Sequence, residues 1–197
     1  MTFPITKSLT FKNVKLEYSP VEDSINSLKI CLSGAKGTFF FIIPKQYVNI
    51  TEKLSFVWVN ENIIVLNWSL LPYTYFQNTV FNQWFTYFEI KIKQALIGIT
   101  LGYSIQIEAI GLGFRFILLA NRLFLLLGYS HGIELIIPET LQLFCQNKTI
   151  LTITGINILA VTQFANKLLT YRTVNRYKGT GLRYKNLKLN LKSIKQK

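Results

Sequence analysis

The stretch that decides the fold is Leu123-Phe-Leu-Leu-Leu-Gly-Tyr-Ser-His-Gly-Ile-Glu-Leu-Ile-Ile-Pro138. Two short apolar runs flank Gly128–Gly132, the pattern of a β-hairpin, and Pro138 ends the second run. The same layout stands 94 residues earlier, where Leu32 and Gly34 match Leu126 and Gly128, and Ile42-Ile-Pro44 matches Ile136-Ile-Pro138. The register extends to Ile50 on Phe144, Val57 on Leu151 and Val59 on Ile153, so the chain reads as a duplication.

Working outward, Ile105–Ile110, Phe114–Leu119, Leu123–Leu127, Ile133–Ile137, Leu141–Cys145 and Ile150–Ile153 are strand-like runs in the second copy. After Asn157 the period changes, and Ile158, Val161, Ala165 and Leu168 recur at helical spacing. The first copy offers strands at Leu28–Ser33, Thr38–Ile43, Tyr47–Ile50 and Leu54–Val59, with added material around Ile63–Asn67. A helix over Asn78–Ile97 follows, its Phe81, Trp84, Phe85 and Phe88 read as core. The expected fold is α+β: two duplicated domains, each a small antiparallel sheet with one packed helix, plus a basic C-terminal extension. The expected boundaries are 1–25 irregular, 26–102 first repeat, 103–175 second repeat, and 176–197 basic tail.

Charge is distributed unevenly. The 197 residues carry +13, yet eleven Lys or Arg and no acid follow Glu139, so residues 140–197 hold +11 of it. That asymmetry predicts a folded body with an end that meets a polyanion. Half of the residues are hydrophobic, but the longest uncharged run, Asn62–Phe88, is broken by polar residues and Pro72, and no membrane span is expected. A membrane-associated protein with a basic matrix-facing tail is the alternative. The excess of Ile, Asn, Lys, Phe and Tyr over Ala matches AT-rich codons, as in an organellar genome, and points to an organelle-encoded gene.

Few residues point to catalysis or metal. Cys31 and Cys145 sit in apolar runs and read as small hydrophobes, and a lone His131 makes no metal cluster. Ser130 beside it has no visible acid partner, and Gly111-Leu-Gly113 lacks the third glycine of a dinucleotide loop. No enzyme activity, cofactor, metal or small-molecule substrate is expected. Asn-x-Ser/Thr triplets at Asn49, Asn67 and Asn147 read as chance in an Asn-rich chain.

The charged end has its own composition. In Arg172-Thr-Val-Asn-Arg-Tyr-Lys-Gly-Thr-Gly-Leu-Arg-Tyr-Lys185, five cations and two tyrosines surround two glycines. Arg172, Arg176, Lys178, Arg183 and Lys185 suit phosphates. Tyr177 and Tyr184 suit stacking on exposed bases. Gly179 and Gly181 permit close approach to another surface, and Gly181→Val is expected to impair docking while sparing the fold. An RNA backbone fits this mixture better than a membrane surface, which calls for an amphipathic helix.

Tyr177-Lys-Gly-Thr-Gly-Leu-Arg-Tyr184 resembles the Y-K-G-K-G-I-R-Y signature of large-subunit ribosomal protein six, the bacterial-type L-six family. Gly111–Arg115 resembles its G-V-G-Y-R element, Leu127–His131 its L-G-Y-S-H, Gly98–Gly102 its G-V-T-x-G, and Ser33–Thr38 its K-G-P-K-G-T. The resemblance implies two duplicated domains and contact with large-subunit ribosomal RNA and neighbouring ribosomal proteins, near the sarcin-ricin loop and the translation-factor docking region. With the codon bias it implies a mitochondrial location. Two departures stand out: Val174-Asn175-Arg176 replaces a proline-acid-proline run, and Thr180 replaces the second lysine. The tail carries Lys185, Lys188, Lys192, Lys195 and Lys197, and its alternating Leu187, Leu189 and Leu191 read as a segment that becomes a strand or an ordered arm on binding.

Overall fold

A computed structural model describes residues 6–10, 15–20, 28–43, 55–58, 63–67 and 79–193. The chain divides into two compact units, Met1–Leu101 and Gly102–Lys197. In the first, β1 (Thr6–Thr10), β2 (Lys15–Pro20), β3 (Leu28–Gly34), β4 (Gly37–Ile43), β5 (Ser55–Trp58) and β6 (Ile63–Asn67) precede α1 (Thr79–Thr100). In the second, β7 (Tyr103–Ile110), β8 (Arg115–Leu119), β9 (Arg122–Leu126), β10 (Ile133–Ile136), β11 (Leu141–Gln146) and β12 (Ile150–Gly155) precede α2 (Ile158–Tyr171) and β13 (Gly181–Tyr184).

The strand orders repeat. Sheet β1-β6-β5 has its counterpart in β7-β12-β11, and β2-β3-β4 in β8-β9-β10; every pairing is antiparallel. This architecture is α+β, as the sequence predicts. The register of the repeat needs correction beyond Pro44. Eleven residues separate Ile43 from Ser55 but only four separate Ile136 from Leu141, so the offset drops by seven, from 93 at Ile43 and Ile136 to 86 at Ser55 and Leu141. Topology therefore matches Val57 with β11 and not with Leu151 on β12. Ile63–Asn67 is the counterpart of β12, not added material. The number of intervening residues shifts the register, while the strand order stays the same.

Within the first 25 residues, expected to be irregular, Thr6–Thr10 and Lys15–Pro20 form strands β1 and β2. Thr6-Lys-Ser-Leu-Thr10 lacks an apolar alternation and is held by its ladder to β6. The expected strand Tyr47–Ile50 and the side chains of Phe81, Trp84, Phe85 and Phe88 lie outside what is described.

Both helices bury one face. In α1, Ile92, Ala95, Leu96 and Ile99 are buried and the helix packs on β3 and β4. In α2, Asn157 caps the first turn by accepting from the Leu159 N–H at 3.0 Å. Its buried stripe is Val161, Phe164, Ala165 and Leu168, laid on β7, β12 and β13. These join Ile107, Phe116, Leu123, Leu125, Leu151, Ile153 and Leu182 in one core. Among the described residues no helix is long and apolar enough to cross a membrane.

The expected tail boundary at 176 does not exist as such. Gly181–Tyr184 adds an antiparallel edge strand to β7, and Leu182 is 1 % exposed within the core. In the chain by itself residues 185–193 form no strand, and Leu187 and Leu191 are exposed.

Candidate nucleic-acid interface

Helix α2 ends when Arg172 turns extended at φ −148°. The chain then leaves and returns: the Leu182 N–H donates to the Arg172 carbonyl at 3.0 Å, and the Asn175 N–H to the Thr180 carbonyl at 2.8 Å. Between these rungs the loop is tied by Asn175. Its side-chain oxygen accepts from the Tyr177 N–H at 2.9 Å and the Lys178 N–H at 3.4 Å. Its carbonyl accepts from the Gly179 N–H at 2.8 Å. Such an Asx arrangement supplies by hydrogen bonds the rigidity that prolines supply covalently. Gly179, at φ +70°, closes the turn in the left-handed region.

The result is a loop whose tip holds Arg176, Tyr177 and Lys178 in solvent, Tyr177 at 54 % exposure. The following segment folds back across it. The Lys192 N–H donates to the Arg176 carbonyl at 3.0 Å, and Leu191 lies beside Gly179. Arg176, Lys178, Lys185, Lys188 and Lys192 are all exposed, and among the described residues none is paired with a carboxylate. Unpaired cations on a hydrogen-bonded loop can bind phosphates without rearrangement of the main chain.

The other singled-out residues have different duties. Gly181 is buried at φ +139°, and a Cβ there would lie 2.7 Å from both the Thr173 carbonyl oxygen and the Val174 Cα. The close approach it permits is to its own chain, which reverses the expectation that Gly181→Val spares the fold. Arg183 faces Glu108 across β13 and β7 and bonds the carboxylate through Nε at 3.2 Å and Nη2 at 3.1 Å. Tyr184 packs against the core, and its hydroxyl donates to Asn166 on α2 at 2.6 Å. Lys185 keeps an exposed side chain while its N–H donates to the Gln106 carbonyl at 3.0 Å. Thus Arg176, Tyr177, Lys178 and Gly179 come together at the tip, whereas Gly181, Arg183 and Tyr184 fasten the loop to the sheet. Lys195 and Lys197 lie outside the described residues.

Arg172 stands apart from the tip. Its guanidinium lies 4.9 Å from the centre of the Tyr129 ring and 6.0 Å from that of Phe114. The Tyr129 hydroxyl donates to the Tyr171 carbonyl at 2.8 Å. Sequence reasoning missed Asn175, Tyr129 and Phe114. Asn175 was legible as a turn former two residues before a tyrosine, but the partner of Arg172 depends on tertiary folding. Among the described residues, no cluster of three or more His, Cys, Asp or Glu is placed to hold a metal.

Comparison with known proteins adds a family. The profile described as Ribosomal protein L6 matches residues 101–185, which spans the second unit through the loop and β13. The chain is 32% identical over 179 residues to the large ribosomal subunit protein uL6 of Pseudothermotoga lettingae, covering 90% of this chain and 93% of that one. It is 30% identical over 175 residues to uL6 of Mycoplasma genitalium, covering 89% of each chain. With the uL6m protein of Reclinomonas americana it shares 36% over 114 residues, 58% of this chain and 61% of that one.

Proposed function

The chain belongs to the ribosomal protein L6 family, structural and non-catalytic proteins of the large ribosomal subunit, and from that premise we propose that its second unit binds large-subunit ribosomal RNA through the Arg172–Lys185 loop. The observation that carries this reading is the tip itself. Arg176, Tyr177 and Lys178 project from a loop tied at both rungs, and no acidic residue follows Glu139 in the chain. Phosphate contacts by the tip and by Lys185, Lys188 and Lys192 supply position and most of the affinity. Tyr177 supplies a face for an unstacked base or a sugar. Arg183, Gly181 and Tyr184 support the loop from the sheet.

The proposed position on the subunit is near the sarcin-ricin loop and the translation-factor docking region, where the protein braces RNA. The residue bias toward AT-rich codons and the similarity to the mitochondrial-type uL6m favour a place in the mitochondrial ribosome. Two repeats, with the Arg172–Lys185 loop and β13 built into the second, support this reading.

Ultraviolet crosslinking of the native protein in organelle extract tests both points. Large-subunit RNA attached at Tyr177 is the expected result. Control ribosomal proteins that crosslink while this chain does not would overturn the RNA reading. Recovery of the chain with non-mitochondrial ribosomes would overturn the location alone.

A further inference from the structure

We propose that Tyr129 and Arg172 form a second RNA contact, a stacking site for one unpaired nucleotide. The inference rests on the RNA reading above and adds to it the base of the same loop, where Arg172 meets the connection between β9 and β10. Tyr129 lies in the connection between β9 and β10, at 45 % exposure. It is not a loose surface side chain. Its hydroxyl is tied to the Tyr171 carbonyl at 2.8 Å, and the Arg172 guanidinium lies over its ring at 4.9 Å.

Arg172 is fixed in turn. Phe114 lies 6.0 Å from the guanidinium, and Phe114 itself occupies a slot between two glycines. A Cβ on Gly111 would stand 2.8 Å from the Phe114 ring, and one on Gly128 would stand 3.0 Å from it. The motifs Gly111–Arg115 and Leu127–His131 thereby converge on the residue that opens the RNA-facing loop.

A latch between a hairpin and a helix end explains the Tyr129 hydroxyl bond, but it leaves two features unexplained. Tyr129 keeps nearly half its surface in solvent, and among the described residues Arg172 has no carboxylate partner. A cation held against an aromatic ring with its charge uncompensated suits a phosphate. The ring surface left in solvent suits a base, because any unstacked base has a π-face.

The space beside the pair has the right size and polarity. A cleft of about 350 Å³ is lined by Tyr129, Arg172, Thr173, Asn175 and Thr180, among others. That volume is at the low end of small-ligand clefts, roughly 300–1,000 Å³, the scale of a nucleotide and not of a duplex. Hydroxyl and amide groups on its walls can meet a sugar or a base edge. Because ring and guanidinium are placed before binding, little side-chain freedom is lost on association.

The test uses the full chain and transcribed large-subunit ribosomal RNA. A crosslink from Tyr129 to RNA is expected in addition to one from Tyr177. Tyr129→Ala should weaken binding by on the order of tenfold, whereas Tyr129→Phe, which keeps the ring and loses the hydroxyl bond, should keep most of the affinity. Crosslinking at Tyr177 with none at Tyr129 would overturn the proposal and leave the RNA reading standing. So would a Tyr129→Phe loss as large as that of Tyr129→Ala, which would assign Tyr129 to the latch alone. A crosslink from Tyr129 to a protein in intact ribosomes would replace the nucleotide with a protein neighbour. Failure of the wild-type chain to bind this RNA would instead defeat the preceding reading.

Discussion

Arg183 and Glu108 stand directly opposite one another on β13 and β7, with Arg183 Nε and Nη2 both donating to a single carboxylate oxygen. Each side chain is about one-quarter exposed, at 26% and 28%, so solvent weakens the attraction and the pair is a modest fastener. Arg183→Glu replaces the attraction with like charges across the strands and should cost about 1 kcal/mol. The melting midpoint should fall by several degrees. Reversing both partners, Arg183→Glu with Glu108→Arg, should recover most of that loss. If RNA affinity recovers equally, Arg183 acts only through the fold; if affinity stays low while the midpoint recovers, it also contacts RNA.

Gly181 and Gly179 lie two residues apart and should respond differently to the same methyl group. At Gly181 the added carbon meets backbone atoms of Thr173 and Val174 at 2.7 Å, and neither can turn aside. Gly181→Ala should therefore cost roughly 2–4 kcal/mol through strain and overpacking together. At Gly179 the nearest atom is a Leu191 methyl at 3.5 Å, so only the positive φ is unfavourable, at about 1 kcal/mol. Thermal denaturation of the two variants checks the order. Equal losses would show that the loop yields at Gly181.

The sequence made some of this legible and hid the rest for physical reasons. Leu123–Pro138 announced its hairpin because two apolar runs flank glycines, and α2 announced itself because Val161, Ala165 and Leu168 keep helical spacing. β13 was hidden because only four residues form it and only Leu182 among them is a buried hydrophobe, too few to show a period. β1 was hidden because Thr6-Lys-Ser-Leu-Thr10 is stabilised by pairing with β6 and not by its own pattern. Gly181 looked like a contact for RNA because a glycine records that something comes close without recording what. The cationic tip was legible, since charge at the surface needs no tertiary knowledge.

Two groups set an expectation at high pH. Burial pushes the Cys145 thiol above its ordinary 9.0, opposed by a backbone hydrogen bond from Lys148, and burial likewise raises Tyr103 above 10.0. Both groups hold their protons more tightly when folded than when unfolded. Stability from them is complete below the unfolded pKa values and declines as pH rises from about 9. Urea midpoints measured from pH 7 to about 10.5 should stay level and then fall. Cys145→Ala and Tyr103→Phe together should flatten the decline relative to the parent; a parallel decline in that double variant would assign it to other groups.

Asn175 offers the sharpest separation of loop order from charge. Asn175→Ala removes the acceptor for the Tyr177 and Lys178 N–H groups but leaves the main-chain bonds to Thr180 and Gly179. The loop tip is exposed, so water takes over the freed N–H groups, and stability should fall by no more than about 1 kcal/mol. RNA affinity should fall several-fold, because Arg176, Tyr177 and Lys178 must then be ordered at the moment of binding. The number of cations is unchanged, so the slope of log affinity against log salt should stay the same. Lys178→Gln, by contrast, should make that slope shallower by about 0.7–0.9, the share of one phosphate contact. Asn175→Ser keeps a short acceptor and should recover part of the affinity. Asn175→Asp keeps it too, but sets a negative charge among the phosphates and should recover less at low salt than at high salt. An Asn175→Ala variant with normal affinity and a lowered melting midpoint would make Asn175 a support of the fold and remove it from the interface.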